Sequence, residues 1–462
     1  MRRGWRVPRP RAHVSSEAAV MIGSDQLDRQ HECVGDFVFD PRVFILPPFR
    51  SCPNCRRADT YGVLMIGGVR YTRRCRECWH TDHYALPPLE KKVIYLDQMV
   101  ISHMTKALHP TAAAGREIDP FWRDLFEKLD VVCKMQLAIC PDTATHREES
   151  AVWTHPEALR RMYEHLSHSV SFHDAATVRE AQLMEFFENW LAGRPTEPIR
   201  ADRETLIRGP IDSWQERFRV TVGGLEPEDW PERLNESRQR ASEALAQLSA
   251  RWRDVQSFSF DDVYRQELRA IGQTMIQVHI QSIRQAAEVM AGTRPFDLDV
   301  FMPSNATATI LGIHHRLREH GIADEDLWEK TAEFFASPDL DQMPYLRISC
   351  MLFAAFARKQ ASGQRRPAGG GTLNDVTTVA TVMPACDAIY VDNEIATFLN
   401  EEPLGTQLDF GTRVFSQRTR HEFAAYLDEI REAAIDEHVA AVREVYGDSY
   451  LTPFTGLFDV PE

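Results

Sequence analysis

The chain has 462 residues, of which 43% are hydrophobic, and its formal net charge is −15 at pH 7. This length and composition exclude a disordered chain and predict two or three domains around at least one large core. The acidic balance argues against a protein that coats nucleic acid along its whole surface, but it is compatible with a local basic face.

The sequence predicts a cytoplasmic protein without a membrane partner. No apolar run approaches the roughly 18–20 residues that span a bilayer, and the arginine-rich start is not followed by an apolar signal-peptide core. Nine cysteines are present. Four have a metal-type spacing and the others show no disulfide-scaffold pattern, as expected in a reducing compartment. Residues 1–48 are predicted to be a tail and lead-in, either plainly solvated or a nucleic-acid-binding arm.

Two CxxC pairs follow, and they predict a zinc ribbon over residues 49–90. Their spacing allows four thiolates to surround Zn²⁺ tetrahedrally, with a hairpin at Gly67-Gly68 between the pairs. Four cysteines close such a site, so its predicted role is structural rather than catalytic. The predicted ligands are Cys52, Cys55, Cys75 and Cys78.

The ribbon also carries arginines interleaved with aromatic residues. Guanidinium groups bind phosphates and aromatic faces stack on bases, which indicates a nucleic-acid surface. A ribbon that docks another protein would carry much the same residues, so both partners stay open from the sequence. The candidate nucleic-acid contacts are Arg56, Arg57, Arg73 and Arg74.

Two short apolar strands end in an acid. Val93–Leu96 is followed by Asp97, and Ala388–Val391 is followed by Asp392. Ligands of open parallel α/β sheets bind beyond the carboxyl ends of the strands. If the two strands are parallel neighbours, Asp97, Asp392 and Asp375, which we expect at the start of the preceding helix, converge into a carboxylate cluster. Such clusters hold hard divalent cations.

A fourth acid is predicted after a strand that ends at Cys140. His146 and Glu149 are three residues apart, so a helix there directs them to neighbouring positions. This makes Glu149 a candidate for the site and His146 a further candidate. A capping box between Thr145 and Glu148 is a second interpretation of the same segment, and both can hold together.

The rest of the chain is mainly helical in pattern. Helices are predicted at 101–108, 121–133, 236–252, 263–290 and 346–357, and one long amphipathic surface helix at 420–446. A glycine-rich segment at 360–371 suggests a loop over the site, in which Arg365 or Arg366 contacts substrate phosphate, or else a plain linker.

Several of these segments together resemble the PIN-domain-like nucleases. The segments are Ile94-Tyr95-Leu96-Asp97-Gln98, Pro141 with His146 and Glu149, Asn374-Asp375, and Met383-Pro384-Ala385-Cys386-Asp387-Ala388-Ile389-Tyr390-Val391-Asp392. They are similar to a bacterial branch whose first strand reads YLDQN and whose last reads LPYCDAFFTD. The resemblance covers the two ends of one domain and leaves the helices of 151–360 unmatched.

The resemblance implies an α/β fold, a Rossmann-like three-layer PIN-type domain with a parallel sheet. The domain would follow the small zinc ribbon and be interrupted by a large helical insertion. The implied division is 1–48 lead-in, 49–90 zinc ribbon, 91–150 first part of the PIN-like domain, 151–360 insertion, 361–418 second part and 419–462 C-terminal helix. It further implies a metal-dependent nuclease that hydrolyses phosphodiester bonds, usually in RNA, in a toxin or defence setting.

The resemblance also suggests a role for each acid. Asp97, Asp375 and Asp392 would bind Mg²⁺ or Mn²⁺, and Glu149 would be a further ligand or orient water. Asp387 has either a site role or a structural capping role. The chain has Met99 where the family commonly has Asn, and it lacks the Thr before the last acid, so Asp392 or Glu394 is the final ligand. These departures favour the alternative function, a non-catalytic nucleic-acid-binding or regulatory protein.

Overall fold

The computed structural model describes residues 12–14, 40–109, 111–112, 117–194, 202–217, 220–222, 230–253, 259–363 and 370–458. Most of the predicted lead-in, and Arg365 and Arg366 of the predicted loop, lie outside these ranges. The strands are β1 (Ala12–Val14), β2 (Leu46–Arg50), β3 (Tyr61–Gly67), β4 (Arg70–Cys75), β5 (Thr81–Ala85), β6 (Lys92–Leu96), β7 (Ala138–Ile139), β8 (Ser171–Phe172), β9 (Ile207–Arg208), β10 (Val220–Val222), β11 (Ala388–Tyr390) and β12 (Arg413–Phe415).

The α-helices come mostly from the middle of the chain. They are α1 (Gln98–Leu108), α2 (Phe121–Lys134), α3 (Ala144–Ala151), α4 (Pro156–Ser167), α5 (Ala175–Leu191), α6 (Arg203–Leu206), α7 (Trp230–Arg253), α8 (Phe260–Met290), α9 (Asn305–Glu319), α10 (Leu327–Phe335), α11 (Pro344–Ala361), α12 (Gly370–Val382), α13 (Asn393–Asn400), α14 (Leu404–Gln407), α15 (Arg420–Glu432) and α16 (Asp436–Tyr446).

A four-stranded parallel sheet forms the centre of the fold, in the order β12-β11-β6-β7. The two strands that end in acids, β6 and β11, are direct neighbours, and Leu96 is paired with Tyr390. The prediction of an α/β fold with a parallel sheet is therefore confirmed, and the condition for the carboxylate cluster, that these two strands are parallel neighbours, is met.

Alternate side chains of β6 enter two different hydrophobic cores, because successive residues of a strand face opposite sides. Val93 and Tyr95 pack with the helices α5, α11 and α12. Ile94 and Leu96 pack with α1, α2, α4 and α15 on the other face. Helices thus cover both faces of the sheet, which gives three layers and explains why the strand is apolar throughout.

Residues 151–360 contribute mainly helices to both layers. The longest, α8, runs over 31 residues and packs against α9 and α11. The region also contains the short strands β8 and β9, which pair antiparallel. These strands were not predicted, because two-residue strands leave no periodicity to detect.

An antiparallel sheet in the order β2-β3-β4-β5 carries the four cysteines. The turn between β3 and β4 contains Gly68 at a φ of +57°, a conformation that glycine adopts without strain, as the predicted hairpin requires. The apolar side of this sheet packs on α16 through Tyr71 and Tyr446.

The single C-terminal helix predicted for 420–446 is wrong. The chain forms α15 and α16, which are separated by a break at residues 433–435. Each helix has its own packing partner: Phe423 of α15 lies in the core of the parallel sheet and Val442 of α16 in the core of the cysteine-bearing sheet. No glycine or proline marks the break, so tertiary packing rather than local sequence produces it.

No helix in the described part of the chain is long and apolar enough to cross a membrane.

Candidate active site

Asp97 and Asp392 lie side by side at the carboxyl ends of β6 and β11. Each caps the helix that follows its strand, because a side-chain oxygen accepts from the free N–H groups of the first turn. Asp97 Oδ1 accepts from Met99 N at 2.7 Å, and Asp392 Oδ1 accepts from Ile395 N at 2.9 Å. The same carboxylates are therefore fixed in position by α1 and α13.

Two helices from the other layers bring Asp375 and Glu149 to this edge. Asp375 lies on the second turn of α12, which begins at Gly370, so the predicted position at the helix start is wrong. Asn374 Nδ2 donates to Glu149 Oε1 at 3.2 Å and thereby connects α12 to α3.

Electrostatics shows that the four acids form one group. Burial raises the pKa of Asp375 to about 8, and the charges of Asp97, Asp392 and Glu149 add to it. Burial also raises the pKa of Asp97 to about 6; the N–H of Met99 lowers it, and Glu149 and Asp392 raise it again. Carboxylates that repel one another in a desolvated place are stabilised by a cation between them.

The acids do not form a compact set of metal ligands in this structure. Within the described ranges, every group of three or more ligand residues whose ligand atoms all lie within 4.8 Å of one another consists of cysteines, so the acids are spaced more widely.

Glu394 lies at the rim of the group. Its carboxylate forms an ion pair with Lys359 of α11, and its charge contributes to the raised pKa of Asp375. Lys359 is a site neighbour that the sequence did not predict, because nothing in its surroundings on a buried helix marks it.

His146 is buried and holds α3 in place. It forms a capping box with Thr143, in which Thr143 N donates to His146 Nδ1 at 3.3 Å and His146 N donates to Thr143 Oγ1 at 3.1 Å. Burial lowers the pKa of its imidazole to about 3, so the ring is neutral near pH 7. The predicted box between Thr145 and Glu148 is wrong, because the helix starts two residues earlier.

The His146 ring is stacked between Tyr95 and Tyr163, with centroid distances of 5.3 and 4.5 Å. His146 therefore helps to fix α3, the helix that carries Glu149 one turn further along.

Asp387 lies at the opposite end of β11 from Asp392. Its carboxylate accepts from Val93 N at 2.8 Å and forms ion pairs with Lys92 and Arg203. Of the two predicted roles, the structural one matches these contacts, because all of them fix the amino-terminal edge of the sheet.

Tyr163 was missed by the sequence reasoning. Its hydroxyl is buried and has no hydrogen-bond partner among the described residues. Burial raises its pKa well above the ordinary value, and the charges of Asp97 and Glu149 raise it further. A neutral O–H donor thus lies near the acids, where it can serve a ligand; a lone tyrosine in an amphipathic helix gives no sequence signal.

The four cysteines could hold a metal ion such as zinc. Cys52 Sγ is 3.6 Å from Cys78 Sγ and Cys55 Sγ is 3.7 Å from Cys75 Sγ, and all four sulfurs lie within 4.8 Å of one another. A tetrahedral site with Zn–S bonds of about 2.3 Å has S–S edges of about 3.8 Å, in agreement with these distances. Burial raises the pKa of Cys75, but N–H groups of Cys78 and Glu77 outweigh burial and lower it, whereas the pKa of Cys55 in the same cluster is raised.

Among the four candidate arginines, Arg73 does not reach the surface. Only 1% of its side chain is exposed, and it donates to Pro48 O at 2.8 Å and to Glu444 O at 2.7 Å. The prediction that Arg73 contacts nucleic acid is therefore wrong, because the guanidinium is a buried connection to α16.

The other three arginines reach solvent. Arg56 is exposed, Arg57 pairs with Glu77 at 2.6 Å, and Arg74 lies 4.6 Å from the ring centre of Trp79, itself 36% exposed.

No family model, no curated protein and no solved structure matches this chain in the comparisons made.

Proposed function

We propose that the chain is a metal-dependent nuclease of the PIN-like type that hydrolyses phosphodiester bonds in RNA. The observation that carries this proposal is the convergence of Asp97, Glu149, Asp375 and Asp392 at the carboxyl edge of a parallel sheet, with raised pKa values at Asp97 and Asp375. The motif resemblance adds the reaction class.

The donor set fits Mg²⁺ or Mn²⁺, since it consists of carboxylate oxygens at the ends of rigid elements. When bound, such an ion polarises a phosphate and lowers the pKa of an attacking water. Asp97 and Asp392 hold their orientation through the N-terminal turns of α1 and α13, so these two acids do not have to reorganise when substrate arrives. The Tyr163 hydroxyl offers a neutral donor beside them.

The proposal includes a supporting role for the cysteine-bearing sheet. With zinc bound it is a ribbon, and Arg56, Arg57 and Arg74 contact the phosphates of longer substrates. A toxin or defence setting rests on the family resemblance alone.

The test compares cleavage of single-stranded and structured RNA, with DNA alongside, by the purified protein in Mn²⁺ or Mg²⁺. The variants are Asp97→Asn and Asp375→Asn. The matched control is Asp262→Asn, the same change at an exposed acid in the first turn of α8. We expect both site variants to lose at least 100-fold in rate, about 3 kcal/mol of transition-state stabilisation, and to keep RNA binding.

Cleavage that persists in both site variants contradicts the proposal. RNA binding without cleavage by the wild type, in either metal, supports the alternative, a non-catalytic nucleic-acid-binding protein. The presence of Met99 beside Asp97 is the observation in favour of that alternative.

A further inference from the structure

A pocket of about 560 Å³ lies between the second half of α1, the start of α2 and the segment after α3, and none of the four acids lines it. Its volume is in the range of small-molecule sites, and its walls are aromatic with polar groups between them. Its lining includes His103, Lys106, Trp122, Trp153, His155 and Gln417.

The pocket is built by the same elements that position the acids. Met99, His103 and Lys106 lie on one stripe of α1, at spacings of four and three residues, and Asp97 caps that helix. Trp153 lies two residues beyond the end of α3 and four residues after Glu149, and its backbone N–H donates to Ser150 O at 3.1 Å. Two walls of the pocket therefore come from the elements that carry Asp97 and Glu149.

A third wall comes from the neighbouring strand end. Gln417 follows β12 and its Oε1 accepts from the Tyr390 hydroxyl at 3.4 Å, while Asn393 Oδ1 accepts from Arg418 N at 3.1 Å. These contacts connect the pocket to β11, the strand that ends at Asp392. Each of the three walls is thus connected, through α1, α3 or β11, to an element that carries one of the acids.

The chemistry of the walls is suited to a flat heteroaromatic ring. Trp122 is buried and stacks on His103 at a centroid distance of 4.6 Å, and Lys106 Nζ lies 5.8 Å from the ring centre of Trp153. His103 Nδ1 is bonded to Met99 O at 2.7 Å, so in the neutral ring Nε2 is an acceptor. Aromatic faces with acceptors at the edge match a nucleobase and its amino or imino groups.

The charge of the pocket argues against a phosphate as the occupant. Glu117 and Asp119 also line it, and Asp119 forms an ion pair with Arg420 at 2.7 Å. Because Arg420 balances Asp119, Glu117 balances Lys106, and the pocket has no excess positive charge to attract a phosphate. The ring part of a nucleotide would enter, while its phosphate stays outside, toward the acids.

We propose that this pocket binds one base of a single-stranded RNA and so fixes the position of cleavage relative to that base. This inference rests on the proposed nuclease function. A base held here through Trp153 and His103 would place a neighbouring phosphate at the edge that Asp97 and Glu149 share.

The experiment is a double-mutant cycle between substrate and protein. Binding of a short fluorescent single-stranded RNA is measured by anisotropy in Mg²⁺ with the Asp97→Asn protein, and an abasic site is moved through every position of the RNA. We expect the abasic site at one position to weaken binding about 5- to 150-fold, the range that stacking of one base gives. Trp153→Ala should cause a similar loss with intact RNA and no further loss with that abasic RNA.

Trp153→Phe should restore most of the affinity, because a phenyl ring still stacks. Trp328→Ala, which changes a 41% exposed tryptophan on α10, is the matched control and should leave the scan unchanged. A flat abasic scan with the Asp97→Asn protein overturns the inference without depending on the folding of any tryptophan variant. If the wild type still cleaves RNA, the nuclease proposal stands; if it neither binds nor cleaves, both fall.

Discussion

At the scale of single residues, two buried charged groups have opposite consequences. Asp375 is surrounded by like charges, and its raised pKa means that the folded state resists ionising it. Arg73 is surrounded by acceptors and connects β4 to α16. The first is a cost that a ligand can remove, whereas the cost of burying the second is offset by its hydrogen bonds and its ion pair.

The pKa of Asp375 predicts how stability depends on pH. The unfolded carboxyl loses its proton near pH 4 and the folded one near pH 8, so the folded state binds more protons between these values and stability falls as pH rises through this window. Without added divalent cation, Asp375→Asn should remove part of that fall and raise Tm at pH 8 by about 2–4 °C.

The measurement is thermal unfolding at pH 5.5 and pH 8, without chelator, because a chelator would also strip the cysteine site. Added Mg²⁺ should raise the Tm of the wild type at pH 8 and have less effect on the variant. Equal pH dependence in Asp375→Asn and in the control Asp262→Asn would contradict the assignment.

The burial of Arg73 predicts a large loss of stability on substitution. Arg73→Ala leaves the carbonyl oxygens of Pro48 and Glu444 without their donor and should cost about 3 kcal/mol. Arg57→Ala, at an exposed ion pair, should cost less than about 1 kcal/mol. Chemical denaturation followed by circular dichroism compares the two, and equal losses would show that Arg73 is not a buried connection.

At the scale of elements, the two ends of the cysteine-bearing sheet differ: one packs on α16, whereas the cysteine end has little core of its own. Its cysteine end contains a small cluster around Tyr61, and a cluster of this size buries too little apolar area to hold two turns in place. We therefore predict about one zinc per chain. The variant Cys52→Ser should lose this zinc, and the cysteine end of the sheet should become disordered.

Metal content after gel filtration and limited proteolysis are the two measurements. Cys52→Ser should lose zinc and become sensitive to protease between β2 and β5, while the core around β6 stays resistant. Cys350→Ser, which changes a buried cysteine of α11 far along the chain, should keep its zinc. Full zinc content in Cys52→Ser would reject the four-cysteine site.

The elements also show how far sequence could predict this fold. The strands β6 and β11 were recognisable because each is an apolar run closed by an acid, but their pairing entered the sequence analysis only as a condition. The capping of α3 by Thr143 and the break before α16 could not be recognised from sequence. Neighbouring residues can each serve as the N-cap of a helix, and the break depends on long-range packing.

Site prediction had the same limit. The acids at strand ends are fixed by local chain direction and could be placed from sequence. Tyr163 and the pocket residues Trp122 and Trp153 come together only through packing of α2, α3 and α4, so no motif marks them.

At the scale of the whole molecule, the cysteine-bearing sheet and the acids lie at opposite ends of the parallel strands. The short link of residues 86–91 leads from β5 to the start of β6, and Trp214 Nε1 donates to Pro87 O at 2.9 Å, which fixes that link. Asp97 lies at the other end of β6. A short RNA bound at the acids is therefore not expected to contact the arginines of the sheet.

This separation predicts that Arg56, Arg57 and Arg74 matter for long substrates alone. Changing all three to alanine should reduce the affinity for a long single-stranded RNA and lower the slope of log K against log salt by about 2, since each phosphate contact contributes about 0.7. Cleavage of a short RNA should keep its rate, because the acids are untouched. Filter binding at several salt concentrations and cleavage of both lengths test this. A drop in short-substrate cleavage would mean that the sheet reaches the acidic edge, and an unchanged salt slope with long RNA would assign these arginines to a protein partner.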